Sequence, residues 1–165
     1  MCGIVGGWTL KRFQQLSERL PIMTNALTHR GPDAEGQWLD SEAGIAFGHR
    51  RLAIIGLGAE GGQPMHSESG RYCLTYNGEI YNHLELRRLL APTGKITWRG
   101  QSDTESLLAC FEQIGVEETV KLCVGMFAMA VWDNRLQELV LVRDRMGEKP
   151  PCFFKRYRSE GLCAA

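Results

Sequence analysis

The chain has 165 residues, the size of one ordinary domain, so a second hydrophobic core is not expected. Nineteen basic residues balance nineteen acidic ones, so no overall field would attract nucleic acid or an acidic membrane surface. No stretch approaches the ~18 to 20 apolar residues of a membrane-spanning helix, and the N-terminus lacks the pattern of a secretory signal. We therefore predict a cytoplasmic protein with neither nucleic-acid nor membrane partners.

The cysteines do not form a recognisable framework. No pair has C-x-x-C spacing, and without a secretory signal a set of disulfides is not expected. The four scattered histidines provide no ligand spacing for structural zinc, so we predict no metal site. The six cysteines are Cys2, Cys73, Cys110, Cys123, Cys152 and Cys163.

The first half of the chain is predicted to consist mainly of strands around one helical region. Residues 3–9 form an apolar strand interrupted by glycines. A helical stretch follows over 11–28, where Pro21 suits the first turn of a second helix. The remaining elements are short strands and one polar, glycine-rich loop: strands over 36–39, 44–47, 52–55 and 72–76, and the loop over 56–70.

The second half combines two helices with a hairpin. Leucines at helical spacing predict a helix around 86–90, and a second helix runs to 114 from a capping box, Ser-Asp-Thr-Glu, at 102–105. The apolar run 126–132 and its partner 139–142 flank an Asp-Asn turn and predict an antiparallel hairpin. Strands, then helices, then strands favour an α+β fold over a parallel α/β fold.

Cys2 combines two reactive groups if Met1 is removed, because its thiol and a free α-amine then lie on one residue. The amine has a pKa of about 7.7 to 8.0 and can act as a base at neutral pH, while the thiol is a strong nucleophile. The alternative is that Cys2 is a small buried apolar residue near the start of a strand.

Asn77 and Gly78 are predicted to form a turn after a strand. Such a turn could present a side-chain amide and a bare backbone N–H side by side, which is the composition of an oxyanion hole. An ordinary hairpin turn is the alternative. The segment 80–83 leads into a helix, however, and not into the second strand that a hairpin needs.

Three charged residues could together hold a free amino acid. Arg51 could bind a carboxylate with both arms of its guanidinium, and Asp103 with Glu79 could accept an α-ammonium group. Two of them have a simpler alternative when taken alone: Asp103 suits a helix start, and an arginine beside a strand, such as Arg51, is often a solvated edge charge.

A dinucleotide motif is present in form only. Residues 56–61 match G-x-G-x-x-G after an apolar run. The residues up to Gly70 cannot open the helix whose N-terminus would hold the pyrophosphate. We therefore do not expect NAD or FAD binding.

Six segments in order along the chain carry a family resemblance: MCGIVG at 1–6, HRGPD at 29–33, RLAII at 51–55, YNGEIYN at 76–82, SDTE at 102–105 and RDRMG at 143–147. Together they resemble the class II glutamine amidotransferases, and most closely the glutaminase domain of glutamine-hydrolysing asparagine synthases. Relatives that aminate sugar phosphates generally lack the Glu after the Asn-Gly pair and the Ile-Tyr-Asn that follows.

The resemblance implies an Ntn-hydrolase fold, a four-layer αββα sandwich, over residues 1–150. It also implies roles at matching positions. Cys2 would be the nucleophile, and the side chain of Asn77 and the N–H of Gly78 would stabilise the oxyanion. The glutamine-binding residues would be Arg51, Leu52, Ile54, Ile55, Asn77, Gly78, Glu79 and Asp103.

The resemblance further implies L-glutamine as substrate and no cofactor for its hydrolysis. In the family, ATP and magnesium serve a synthetase domain whose Ser-Gly-Gly-x-Asp-Ser type loop does not occur in this sequence. Asparagine synthesis by this chain alone is therefore not expected. A separate synthetase partner is compatible with the resemblance, and the sequence leaves the oligomeric state open.

Residues 151–165 depart from the family pattern. They carry three basic residues and one acidic residue, and they read as the out-of-frame end of a truncated gene. We expect the sandwich to lack its last strands. An inactive fragment, able only to bind or associate, is thus the alternative to an active glutaminase, because unpaired strand edges promote aggregation.

Overall fold

The computed structural model describes residues 2–9, 11–53, 61–94, 96–149, 153–155 and 162–164. Within them the helices are α1 (Phe13–Ala26), α2 (His83–Leu90), α3 (Asp103–Ile114) and α4 (Val116–Leu122), with a short 3₁₀ turn at Ala91–Thr93. The strands are β1 (Gly3–Trp8), β2 (Ala34–Asp40), β3 (Ile45–Arg51), β4 (Met65–His66), β5 (Tyr72–Ile80), β6 (Gly125–Asp133), β7 (Glu138–Arg143), β8 (Phe153–Lys155) and β9 (Leu162–Ala164).

The strands form two antiparallel sheets. One has the order β2-β3-β1-β9-β8, and the other has the order β4-β5-β6-β7. In the first sheet Gly3 lies opposite Arg50, so Cys2 lies beside Arg51, the last residue of β3. Cys2 is therefore held beside the end of β3 and beside Leu52, the residue that follows it.

Three apolar clusters separate four layers. Leu16 and Leu20 of α1 pack on the outer face of the first sheet. Phe47 and Trp132 belong to the cluster between the two sheets, where Trp8 meets Trp132 edge to face at 5.5 Å. Helices α2, α3 and α4 cover the outer face of the second sheet. This is the predicted α+β sandwich of the αββα type.

His49 is a buried polar residue between the sheets. Its Nδ1 lies 3.1 Å from Thr75 Oγ1, and its side chain is 1% exposed. Burial, aided by the charge of Arg51, lowers the pKa of His49 to about 4. The folded protein therefore holds this imidazole neutral over most of the acidic range.

We expect His49 to make the fold less stable in mild acid. In the unfolded chain its pKa returns to about 6.5, so below that pH the unfolded state binds a proton that the folded state does not. Stability is lost as the pH falls from about 6.5 to about 4, and no more is lost to this group below that. Between pH 7 and pH 5 the urea-unfolding free energy of the wild type should fall by about 2 kcal/mol more than that of His49→Gln. Equal losses in the two proteins would contradict this assignment.

Helix α1 differs from the prediction because it is one continuous helix with Pro21 inside it. Proline supplies no N–H to the carbonyl four residues earlier, which normally costs helix stability. Here Leu16, Leu20 and Thr24 are all buried on one face, and Thr24 Oγ1 donates to the Leu20 carbonyl at 2.8 Å. Tertiary packing of that face outweighs the local preference for a break.

Other boundaries also shift. The predicted strand over 52–55 does not start where expected, because β3 ends at Arg51 and Leu52 and Ala53 lie outside any strand. Ile54, Ile55 and residues 56–60 are outside the described residues. The two-residue strand β4 forms inside the predicted loop, and α4 is a helix that the sequence analysis did not predict.

Two short strands form beyond residue 150, where the prediction expected the last strands to be missing. β9 pairs with β1, with Ala164 opposite Gly6 and Leu162 opposite Trp8, and β8 pairs with β9. Backbone pairing is compatible with many side chains, so a divergent sequence can still extend a sheet. The out-of-frame origin of 151–165 stays a prediction. Within the described ranges, no helix combines the length and apolar character needed to cross a membrane.

Candidate active site

A cavity of about 90 Å³ opens where the start of the chain, the end of β3, the last part of β5 and the first turn of α3 meet. It brings together every described residue to which the sequence analysis gave a role, and each of these is half-buried. They are Cys2, Arg51, Leu52, Asn77, Gly78, Glu79 and Asp103. The cavity is also lined by Gly61, Gln63, Tyr76, Ser102, Thr104, Met126 and Lys149.

The thiol of Cys2 is held by the backbone of Leu52. The Leu52 N–H donates to Cys2 Sγ at 3.5 Å, and the thiol faces the Leu52 carbonyl at 3.8 Å. Cys73, Cys110 and Cys123 are buried, and burial raises the pKa of Cys110 to about 11 and that of Cys123 to about 12. Of the four cysteines described in full, Cys2 is thus the one that faces a cavity as a candidate nucleophile.

The free edge of β5 directs backbone N–H groups toward this cavity. The Tyr76 N–H donates to Gln63 Oε1 at 2.6 Å, and the Ile80 N–H donates to Asp103 Oδ2 at 3.1 Å. In an antiparallel strand every second N–H points to the same edge. The Gly78 N–H therefore points the same way, between the other two.

The partner strand β6 supports this direction for Gly78. Gly78 lies opposite Phe127, whose own N–H and carbonyl pair on the far side with Asp144 at 3.2 and 2.8 Å. Such an arrangement is a non-hydrogen-bonded pair, in which both backbones face outward. A Cβ on Gly78 would lie 2.1 Å from the Met126 carbonyl oxygen, so this position requires glycine.

The predicted turn at Asn77 and Gly78 is therefore wrong. Both residues lie within β5, which continues to Ile80, and Asn77 lies opposite Ala128. Pairing with the nine-residue strand β6 keeps the backbone extended where the Asn-Gly pair alone favours a turn. Both residues still line one cavity, although they lie in a strand and not in a turn.

Asp103 is fixed by donors on both carboxylate oxygens. Oδ2 accepts the Tyr76 hydroxyl and the Ile80 N–H, and Oδ1 accepts the Thr104 N–H at 2.9 Å. Burial and the nearby Asp103 raise the pKa of Tyr76 well above its usual value, so its hydroxyl stays a donor. The carboxylate is thereby held in one orientation at the cavity.

The helix start at Asp103 matches only half of the predicted capping box. Ser102 Oγ accepts the Glu105 N–H at 3.2 Å, as a capping residue does. The Glu105 side chain does not complete the box, because it accepts the N–H groups of Arg99 and Gly100 instead. The segment before α3 folds back over the helix and supplies these nearer donors.

Arg51 brings a positive charge to the lining of the cavity. A Cβ on Gly61 would lie 2.4 Å from Arg51 Nη2, so the guanidinium packs directly on the bare backbone of Gly61. Gly61 is the last residue of the G-x-G-x-x-G match at 56–61, and in the structure its missing side chain leaves room for Arg51. Arg51 with Asp103 and Glu79 gives the cavity charges of both signs.

Sequence reasoning gave no role in the site to the other seven lining residues, among them Gln63, Lys149 and Tyr76. Gln63 links two elements, since its Oε1 accepts from Tyr76 and its Nε2 donates to Thr104 Oγ1 at 3.4 Å. Lys149 is buried, and its backbone N–H donates to Asp144 Oδ2 at 3.0 Å. Of these three, only Tyr76 had a local signal, namely its place at the head of the YNGEIYN segment. Among the described residues, no group of three or more His, Cys, Asp or Glu is placed to hold a metal ion.

The sequence profile of the glutamine amidotransferase domain family matches residues 1–165. The chain therefore belongs to the glutamine amidotransferase domain family.

Three proteins from two organisms are similar in sequence to the chain. Glutamine-hydrolysing asparagine synthetases 1 and 3 of Bacillus subtilis (strain 168) are each 40% identical to the chain, over 153 and 166 residues, and cover 91% and 98% of it. The amidase chry2 of Gibberella zeae is 37% identical over 136 residues and covers 82% of the chain. The matches span 23%, 25% and 20% of these three proteins, so the chain corresponds to about a quarter or less of their length.

A solved structure shares the fold. Glutamine phosphoribosylpyrophosphate amidotransferase from B. subtilis superposes with a TM-score of 0.74 and 19% sequence identity. The superposition covers 99% of the chain and 41% of that protein. It supports the four-layer sandwich.

Proposed function

We propose that this chain hydrolyses the side-chain amide of L-glutamine to glutamate and ammonia, with Cys2 as the nucleophile. The observation that carries the proposal is the common cavity, in which the Cys2 thiol, the guanidinium of Arg51 and the fixed carboxylate of Asp103 meet the free edge of β5. The nucleophile matches the amide carbon of glutamine, and the oxyanion donors match its carbonyl oxygen. The positive and negative charges match the α-carboxylate and the α-ammonium group.

Recognition rests on the α-carbon groups of the substrate. The α-carboxylate binds Arg51, whose planar guanidinium can donate two parallel hydrogen bonds. The α-ammonium binds the Asp103 carboxylate, whose oxygens still have lone pairs to accept further hydrogen bonds besides those from Tyr76 and Ile80. Glu79 adds a second negative charge to the cavity. With both ends of the amino acid held, the side-chain amide extends toward Cys2.

The first chemical step is acyl transfer to Cys2. After removal of Met1, the α-amine of Cys2 takes the thiol proton, and the sulfur attacks the amide carbon. The carbonyl oxygen becomes an oxyanion that the Asn77 side chain and the Gly78 N–H stabilise. The α-amine returns the proton to the leaving nitrogen, the C–N bond breaks, and ammonia departs from a glutamyl thioester.

The second step hydrolyses the thioester. Water attacks the same carbonyl carbon while the α-amine of Cys2 accepts its proton, and the same two donors hold the second oxyanion. The carbon–sulfur bond breaks, and the proton goes back to the sulfur. Glutamate is released and Cys2 is ready for another substrate.

The fate of the ammonia belongs to the proposal as well. Relatives named as glutamine-hydrolysing asparagine synthetases suggest an asparagine-forming synthetase as the recipient. The family resemblance implies that ATP and magnesium would serve that synthetase part. The cytoplasmic location stays a prediction. Two observations speak against the alternative of a catalytically silent chain. The residues expected for catalysis, Cys2, Asn77 and Gly78, are present and line one cavity, and strands pair beyond residue 150.

The proposal is tested by assaying the purified chain for hydrolysis of glutamine. Equimolar glutamate and ammonia should form without ATP or added metal. Asparagine, whose amide is one methylene closer to the α-carbon, should react poorly because the held α-groups place its amide short of Cys2. A folded, monodisperse protein whose intact mass shows Cys2 at its N-terminus, but which releases no ammonia, would refute the proposal.

Arg51→Ala should raise the KM for glutamine by about 10- to 100-fold, the range for losing a hydrogen bond to a charged group. The carboxylate is held alike in the ground and transition states, so kcat should change little. The matched control is Arg19→Ala, which removes an exposed arginine of α1 outside the cavity. A fall in kcat with unchanged KM would contradict the role given to Arg51.

A further inference from the structure

The backbone just before Asp103 is held by a largely buried ion pair, Arg87–Glu105, whose two residues do not line the cavity. Glu105 Oε1 accepts the Arg99 N–H at 2.6 Å, and Oε2 accepts the Gly100 N–H at 3.1 Å. The same Oε2 lies 3.2 Å from Arg87 Nη2 of α2. The Arg87 and Glu105 side chains are only 13% and 11% exposed.

Arg87 holds the carbonyl groups of the same short segment. Its Nη1 donates to the Gly100 carbonyl at 2.9 Å, and its Nη2 donates to the Ser102 carbonyl at 3.0 Å. Its Nε donates to Ser106 Oγ at 2.7 Å, and its guanidinium stacks 3.9 Å from the ring centroid of Trp98. The planar, five-donor geometry of arginine is used almost completely here.

We propose that Arg87 and Glu105 are positioning residues for the α-ammonium group of the substrate. Together they hold the N–H groups of Arg99 and Gly100 and the carbonyls of Gly100 and Ser102, which directly precedes Asp103. Because the Asp103 carboxylate must meet an ammonium group at hydrogen-bond distance, a small displacement of its backbone weakens that contact. The inference rests on the proposed function, since it assigns a contribution to glutamine binding.

The cost of burying this pair supports a positional role. Two charges removed from water gain little net stability, and a well-packed apolar pair often serves as well. An apolar pair cannot hold several backbone groups in fixed positions, because it makes no hydrogen bonds to them. Here four of the polar contacts of the pair reach the backbone between Arg99 and Ser102.

The test compares glutamine with glutaramate, the analogue that lacks the α-amino group. Arg87→Gln should raise the KM for glutamine about tenfold, the scale for a lost charged hydrogen bond, and leave kcat within about twofold. For glutaramate the KM should be unchanged, because no ammonium group is present to use Asp103. Arg88→Gln, an exposed neighbour on α2, is the matched control and should leave both substrates unaffected.

Two further variants separate positioning from folding. Arg87→Lys retains the charge but cannot span both carbonyls, so it should show the same selective KM increase even if Arg87→Gln is insoluble. Combined with Asp103→Asn, either change should add no further increase. An equal KM increase for both substrates, or a loss confined to kcat, would overturn the inference. If the wild type hydrolyses neither substrate and does not bind glutamine, the proposed function fails, and this inference fails with it.

Discussion

Cys2→Ala should abolish glutamine hydrolysis, with a loss of roughly 10⁴- to 10⁶-fold, the scale for removing a covalent nucleophile. No thioester can form without the sulfur, and the remaining groups only bind the substrate and polarise its amide. The measurement is ammonia release at saturating glutamine. Glutamine binding, measured by calorimetry, should persist in the variant because Arg51 and Asp103 are intact.

The control for Cys2→Ala is a cysteine that lies away from the cavity. Cys110 is buried in α3, its pKa is raised to about 11 by burial, and its replacement by alanine should cost stability without removing catalysis. Comparable loss of specific activity in folded Cys2→Ala and Cys110→Ala proteins would show that Cys2 acts structurally. A variant that retains Met1, as judged by intact mass, should be inactive if the α-amine is the base. Full activity with Met1 present would contradict that part of the mechanism.

Much of the fold was predictable because local patterns and tertiary packing agree. The β6–β7 hairpin follows from two apolar runs around an Asp-Asn turn, and the structure pairs Asp133 with Glu138 at its end. The start of α3 follows from Ser102, which caps the helix as expected. In both cases a short stretch of sequence contains the whole signal.

The turn at Asn77 and Gly78 was predicted wrongly because its determinant is distant in sequence. Gly78 is required by the Met126 carbonyl on the neighbouring strand, about fifty residues further along the chain. An Asn-Gly pair cannot by itself show whether its glycine serves a positive φ or a close approach between strands. The same limit applies to Pro21, whose place inside α1 is decided by the sheet beneath the helix.

The charged parts of the site were easier to predict than the groups that orient them. Arg51 and Asp103 belong to recognisable segments, and the structure places both at one cavity. The contribution of Tyr76 arises from its hydroxyl reaching Asp103 across the space between β5 and α3, and that of Gln63 from its bond to the β5 edge. Such orienting contacts depend on how elements pack, so a local sequence pattern does not show which partner each side chain will contact.

Asn77→Ala should lower kcat by roughly 100- to 1000-fold, the range for losing one oxyanion donor. The effect falls on kcat because negative charge develops on the carbonyl oxygen only during the reaction, so the KM for glutamine should change little. The residual rate reflects the Gly78 N–H, which the backbone of β5 still directs to the cavity edge.

The comparison for Asn77→Ala is an asparagine that has no part in the cavity. Asn134 lies exposed in the turn after β6, and Asn134→Ala should leave kcat unchanged. Asn77→Asp provides a sharper probe, since it keeps the shape of the side chain but replaces the donor with a negative charge next to the developing oxyanion. It should be slower than Asn77→Ala, because charge repulsion adds to the lost hydrogen bond. If the aspartate variant retained a higher kcat than the alanine variant, the side chain of Asn77 would be filling space and not stabilising the oxyanion.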